Sequence, residues 1–194
     1  MSSGNLLTAG VWAVIGFLTG ALPFSVWVSR LAVGKDARQY GDGNPGAASA
    51  WAAGTWRIGL PVLALDYFKG AVPVALAHYL YRVSGPGLAV VGLAPVLGHA
   101  FSPFLRFRGG KGITVTFGVW TGLVPPAAPI VLGLTLTALH FLRVNRHLVP
   151  ILGMFGLLIY LLILHRDPFL LCAWLGNIGI LAWKFRREIV GHMP

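Results

Sequence analysis

The chain has 194 residues, of which 56% are hydrophobic and only 10% are charged. With a mean hydropathy of +0.76, this composition excludes an ordinary soluble domain. The formal net charge of +10 would favour nucleic acid as the partner of a soluble protein. Here most cations lie between long apolar runs, so we expect no nucleic acid, but membrane lipids or an anionic substrate.

Apolar runs dominate the chain, and a run of about 20 residues can cross a hydrocarbon layer roughly 30 Å thick as a helix. The runs lie at about residues 6–29, 58–81, 86–104, 112–124, 126–142, 148–164 and 168–183. Pro125 and Pro126 separate the fourth run from the fifth, because proline does not suit a helix interior. The fourth run is short for a span and is either tilted or partly inserted. The sequence predicts one all-α integral membrane domain over residues 1–194.

The distribution of cations predicts the orientation. Twelve of the 15 lysines and arginines lie in alternate connections and in the C-terminal segment, whereas Arg82 and Arg166 are alone on the other side. Since cation-rich connections remain in the cytoplasm, we expect seven transmembrane helices, with the N-terminus outside and the C-terminus cytoplasmic. The first run lacks a cleavage site and is expected to be retained. The first loop, about residues 30–57, would be long and cytoplasmic.

Residues 99–112, HAFSPFLRFRGGKG, form the most unusual connection. Its cations and glycines are Arg106, Arg108, Lys111, Gly109, Gly110 and Gly112. Exposed N–H groups of a glycine-rich turn before a helix form a concave anion site, although the spacing is not that of a Walker A loop. The alternative is a basic connection held at the membrane surface. His99 is either a structural residue or part of the site.

Residues 34–49, GKDARQYGDGNPGAAS, form a second glycine-rich connection. This composition predicts turns and positive-φ positions, and such loops often carry function. Arg38 is a candidate anion ligand, with Asp36 and Asp42 close enough in sequence to orient it. The alternative is a solvated surface hairpin.

Two further groups of charged residues lie outside these loops. Asp66 and Lys69, spaced i, i+3 inside the second run, form either a self-compensating pair or part of a site. The histidines and arginines of residues 140–147 are interpreted as facing lipid headgroups. The chain has no GxSxG elbow, acidic dyad or His-x4-Asp box, so its chemistry would depend on binding and positioning anions.

The sequence resembles the bacterial acyl-phosphate:glycerol-3-phosphate acyltransferases. The likeness is carried by residues 20–24 (GALPF), 34–47, 66–70 (DYFKG) and 97–112. It implies a seven-span fold in the bacterial inner (plasma) membrane with the active site on the cytoplasmic face. An acyl phosphate would donate its acyl group to the 1-hydroxyl of glycerol 3-phosphate, giving lysophosphatidic acid and phosphate. It implies no coenzyme A, metal or other cofactor.

The candidate site residues combine the resemblance with the reasoning from the residues themselves. The catalytic group would contain Arg38, Asp42, Asn44, His99 and Asn177. The substrate-binding group would contain Lys35, Asp66, Lys69, Arg106, Arg108, Gly109, Gly110, Lys111 and Gly112. The second group overlaps the anion site inferred from the glycine-rich connection.

The sequence departs from the family pattern at three places. Asp42 replaces a usual serine and is expected to pair with Arg38, and residues 48–49 are Ala-Ser instead of Thr-Asn. The third motif, normally His-Arg-x-Asn-Ile, reads WLGNI at residues 174–178, and Glu188 lies two positions beyond the usual spacing. The alternatives are a diverged homologue that uses another phosphorylated alcohol or lacks turnover, and a non-enzymatic phosphate or lipid binder or transporter. The oligomeric state is not indicated.

Overall fold

A computed structural model describes residues 3–191, and within this range the chain is helical and contains no strand. The α-helices are α1 (Ser3–Ala21), α2 (Phe24–Val33), α3 (Ala47–Gly54), α4 (Trp56–Ala75), α5 (Gly85–Ala100), α6 (Ile113–Leu123), α7 (Ala127–Phe141), α8 (Val149–Leu164) and α9 (Pro168–Val190). A π-helical turn, Leu76–Leu80, continues α4, and 3-10 turns lie at Ala37–Gln39 and Pro103–Leu105.

Every predicted apolar run forms helix. Four stretches are long and apolar enough to cross a membrane: Asn5–Val33, Trp56–Leu80, Gly85–Leu105 and Pro168–Val190. The helices α6, α7 and α8 are apolar but shorter. At 11 residues, α6 is only about 16 Å long, which agrees with the short run predicted there. The predicted break is also confirmed, since α6 ends at Leu123 and α7 begins at Ala127.

The first run is not the continuous helix that was expected. The helix is interrupted between Ala21 and Phe24, because Pro23 has no N–H to donate. The freed carbonyls are taken up by polar side chains: Lys69 Nζ donates to the Leu22 carbonyl at 2.9 Å, and Ser102 Oγ donates to the Ala21 carbonyl at 2.6 Å. The break therefore ties the end of α1 to α4 and to the loop after α5.

Glycines allow two helix pairs to approach closely. A Cβ at Gly20 would overlap the backbone of Pro95 where α1 crosses α5, and one at Gly70 would lie 2.6 Å from the Val115 carbonyl where α4 meets α6. Small residues let backbones pack directly in membrane proteins. The contacts bring the C-terminal end of α5 and the N-terminal end of α6 to the same side of the molecule.

Candidate functional site

A cavity of about 780 Å³ opens on that side of the molecule. Its walls come from the first connection with α3, the middle of α4, the first turns of α6 and α8, the connection between α7 and α8, and the C-terminal parts of α5 and α9. The residues that line it and bear on chemistry are Asp42, Asn44, Ser49, Asp66, His99, Lys111, Gly112, Thr114, Arg146, His147 and Phe185. Both glycine-rich connections therefore contribute to one cavity.

Three helices begin at this cavity, namely α3, α6 and α8. Their N-terminal capping positions are Gly46, Gly112 and Leu148, and the structure shows no side-chain cap at any of the three. Uncapped first-turn N–H groups and the positive end of the helix dipole favour anions. In α8 this effect is weaker, because Pro150 has no N–H and the Val149 N–H donates to the Asn145 carbonyl.

Lys111 lies between two carboxylates from distant parts of the chain. Its Nζ is 2.6 Å from Asp42 Oδ2 and 3.1 Å from Glu188 Oε1, and it sits 4.9 Å above the centre of the Phe185 ring. Burial acts to lower the pKa of Lys111, but the hydrogen bonds and charges of the two carboxylates outweigh it and raise that pKa. Lys111 is therefore a firmly charged ammonium held at the cavity wall.

The expected pairing of Asp42 with Arg38 is wrong, because Asp42 pairs with Lys111 instead. Its Oδ2 binds Lys111, while its Oδ1 accepts the Asn44 N–H at 3.1 Å and so fixes the turn that places Asn44 at the cavity. Partial burial acts to raise the pKa of Asp42, but the Lys111 ammonium and the Asn44 N–H outweigh it, and the pKa lies below its ordinary value.

Arg38 is oriented by Asp36. The Arg38 guanidinium donates Nε to Oδ1 at 3.1 Å and a terminal nitrogen to Oδ2 at 2.7 Å, and Arg30 also donates to this carboxylate. These Arg38 hydrogen bonds are the main reason that the pKa of Asp36 lies far below its usual range, and the same pair raises the pKa of Arg38. The Arg38 side chain is exposed and does not line the cavity.

The Gly-Gly-Lys-Gly segment is held from both sides. The Gly110 N–H donates to the His99 carbonyl at 3.0 Å, which closes the loop onto the end of α5. From α9, Lys184 Nζ donates to the Gly109 carbonyl at 2.7 Å and to the Ala100 carbonyl at 3.0 Å. The loop is thus a fixed part of the cavity wall.

His99 is buried and lines both the main cavity and a small cavity of about 10 Å³, close to the smallest that holds one water. The small cavity is also lined by Asp66, Lys69 and Ser102. Lys69 Nζ is 2.6 Å from Asp66 Oδ1. Asp66 lines both cavities, whereas Lys69 lines only the small one. The pair therefore contributes one residue to the site and is also a structural ion pair.

Eight of the predicted site residues do not line the main cavity: Lys35, Arg38, Lys69, Arg106, Arg108, Gly109, Gly110 and Asn177. Arg106 and Arg108 are exposed, and Lys35 lies over the Tyr40 ring at 5.4 Å. Asn177 is buried, accepting from Trp120 Nε1 and donating to Thr116 Oγ1, each at 3.0 Å. Its amide ties α9 to α6, which is a structural contact.

Four residues at the site were not predicted from the sequence. Arg146 and His147 line the cavity instead of facing only headgroups, and Arg146 Nε lies 3.2 Å from His147 Nε2. Lys184 and Glu188 act from α9 on the glycine-rich loop. In the sequence Arg146, His147 and Lys184 look like residues that only set the membrane orientation, because a basic residue beside a span has the same local pattern in either role. Glu188 was noted only as a displaced residue of the third motif.

Comparison with known proteins gives consistent matches. The glycerol-3-phosphate acyltransferase family matches residues 10–193. Glycerol-3-phosphate acyltransferase 1 of Thermotoga maritima is 39% identical over 189 residues, covering 90% of this chain and 93% of that protein. The Deinococcus radiodurans protein of the same name is 36% identical over 187 residues, covering 94% and 91%. A crystal structure of PlsY, an integral membrane glycerol 3-phosphate acyltransferase in its glycerol 3-phosphate form, superposes with a TM-score of 0.85 at 26% identity, covering 93% of this chain and 90% of that one.

Proposed function

The chain belongs to the glycerol-3-phosphate acyltransferase family, and we propose that it transfers the acyl group of an acyl phosphate to the 1-hydroxyl of glycerol 3-phosphate. The products are lysophosphatidic acid and inorganic phosphate. The observation that carries this proposal is the cavity in which Lys111 and the uncapped N-termini of α3 and α6 face the same space.

The phosphate of glycerol 3-phosphate binds beside Lys111 at the start of α6. Asp42 and Glu188 each occupy one donor of the ammonium group, which leaves a further N–H for the substrate. The first-turn N–H groups of α6, next to Gly112, add donors and the positive helix end. Asp42 and Glu188 therefore position Lys111 and do not contact the reacting atoms.

The chemical step needs little help from an acid or base, because an acyl phosphate is already an activated mixed anhydride. The 1-hydroxyl oxygen attacks the acyl carbon, a new ester C–O bond forms, and the bond from the acyl carbon to the phosphate oxygen breaks. The departing phosphate takes the hydroxyl proton on one of its own oxygens. Holding two anions together provides proximity, and the N–H groups and Lys111 offset the repulsion between them.

In our proposal the chain crosses a bacterial inner membrane seven times and the cavity faces the cytoplasm. Support comes from charge: Lys111 and Arg146 line the cavity and Lys184 holds its glycine-rich loop, and all three belong to the segments that hold 12 of the 15 cations. Positive segments are retained in the cytoplasm. The seven spans would be the four long apolar stretches together with the shorter helices α6, α7 and α8.

The test is acyl transfer by the purified protein in detergent, with a long-chain acyl phosphate and labelled glycerol 3-phosphate. We expect labelled lysophosphatidic acid and an equal amount of released phosphate, with both reduced tenfold or more in Lys111→Met, which keeps the length of the side chain. If glycerol 3-phosphate binds but no acyl product forms, the chain is a phosphate-binding protein and the proposal is wrong.

A further inference from the structure

We propose that Arg146, on the connection between α7 and α8, binds a second substrate phosphate in the same cavity. This inference rests on the proposed function and adds a residue to it. Two phosphate-bearing substrates would then lie between two cationic groups, with Lys111 on the wall formed by the start of α6 and Arg146 on the wall formed by the start of α8.

The charge balance of the cavity supports this assignment. Lys111 and Arg146 are the only lysine or arginine side chains among the described residues that line it. Lys111 is matched by two carboxylates, and Asp66 is matched by Lys69. Arg146 forms no ion pair with any residue in the range 3–191. Among the described residues it is therefore the lining cation whose charge no carboxylate balances.

The geometry of the connection also suits an anion. The side chain of Asn145 accepts the His147 N–H at 2.9 Å, and its carbonyl accepts the N–H groups of Leu148 and Val149 at 2.8 and 3.1 Å. The turn that carries Arg146 is therefore fixed. Arg146 Nε points to His147 Nε2, which leaves both terminal nitrogens of the guanidinium for a bidentate contact with phosphate.

The start of α8 has few free backbone donors, because Pro150 and Val149 contribute none. Phosphate binding on this wall depends on the Arg146 side chain, whereas the wall at α6 combines Lys111 with backbone N–H groups. Since the proposed function assigns glycerol 3-phosphate to the Lys111 wall, we expect Arg146 to hold the phosphate of the acyl donor.

The experiment compares Arg146→Gln and Arg146→Lys with the matched control Arg143→Gln. Arg143 lies on the same connection and is exposed, as Arg146 is, but it does not line the cavity, so its replacement tests the loss of a charge without the loss of a ligand. The KM of each variant is measured separately for acyl phosphate and for glycerol 3-phosphate. Binding of inorganic phosphate is measured by calorimetry, and folding by thermal unfolding in the same detergent.

We expect Arg146→Gln to raise one KM about tenfold or more, as for a charge-assisted hydrogen bond, without lowering the unfolding temperature. Arg146→Lys should recover part of the loss, because it keeps the charge but not the bidentate fork. A selective rise in the KM for acyl phosphate assigns the donor phosphate, and a selective rise for glycerol 3-phosphate assigns the acceptor. Both results support phosphate binding by Arg146.

Unchanged KM values and phosphate affinity in Arg146→Gln overturn the inference, and so does an equal effect of Arg143→Gln. Failure of the proposed function looks different. In that case the wild type forms no acyl product, while the loss of phosphate affinity in Arg146→Gln still reports on the binding site.

Discussion

Replacing Gly110 with alanine tests whether the glycine-rich loop is built against His99. A Cβ at position 110 would overlap the His99 imidazole and lie 2.5 Å from the Pro45 carbonyl oxygen. The loop cannot easily move away, because the Gly110 N–H donates to the His99 carbonyl and Lys184 holds the adjacent carbonyl of Gly109. The added methyl group must therefore displace a wall of the cavity.

The expected size of the effect follows from this crowding. Overpacking at a well-packed position costs about 1–3 kcal/mol. Both neighbours of the new methyl group are constrained, one as backbone and the other as a buried side chain, so we place the cost in the upper part of that range. When most of this free-energy cost acts on the complex with bound glycerol 3-phosphate, kcat/KM for glycerol 3-phosphate decreases roughly 30- to 150-fold.

Initial rates at varied glycerol 3-phosphate concentration, together with thermal unfolding, measure this effect. Gly179→Ala in α9 is the matched control, because a Cβ there would have no neighbour within 4 Å; it should keep wild-type kinetics and be neutral or slightly stabilising. A Gly110→Ala protein with wild-type kcat/KM and unfolding temperature would refute the packing of the loop against His99 and the first connection.

Three further predictions follow from the site. Lys184→Met removes the donor to two loop carbonyls, so the KM for glycerol 3-phosphate should rise roughly three- to tenfold in steady-state assays. Folding lowers the pKa of Asp42 from its ordinary value of 3.8. Its carboxylate therefore stabilises the protein above about pH 3.8, and this contribution is lost as the pH falls through the lower pKa of the folded state. The difference in unfolding temperature between wild type and Asp42→Asn should disappear under acid conditions. In a cysteine-free background, Arg108→Cys should be labelled only from the cytoplasm and Arg166→Cys only from outside, and the reverse pattern would contradict the proposed orientation.

The altered third motif changes what α9 contributes. Trp174 is buried and donates Nε1 to the Met154 carbonyl at 2.7 Å, and Leu175 is 65% exposed on the helix surface. Neither lines the cavity. The site end of α9 instead carries Lys184 and Glu188, which contact the glycine-rich loop. In this chain α9 therefore supports the site by holding that loop.

The sequence alone determined the features that depend on nearby residues. Hydropathy predicted the helical segments, since each apolar run must satisfy its own backbone hydrogen bonds in a membrane, and Pro125 with Pro126 predicted the break before α7. Each glycine-rich connection was predicted separately as a functional loop, and only the family resemblance implied that both belong to one site. The pairing of Asp36 with Arg38, two positions apart, was among the open alternatives.

The tertiary structure decided which distant charges meet. Asp42 and Lys111 are 69 positions apart, and Lys184 is 75 positions from Gly109. These contacts depend on how closely the helices approach and at what rotation each one packs, and glycine contacts such as Gly70 with Val115 set both. Local sequence does not encode that geometry. From the sequence, Arg146 was therefore interpreted as facing lipid headgroups, whereas in the fold it lies at the cavity wall.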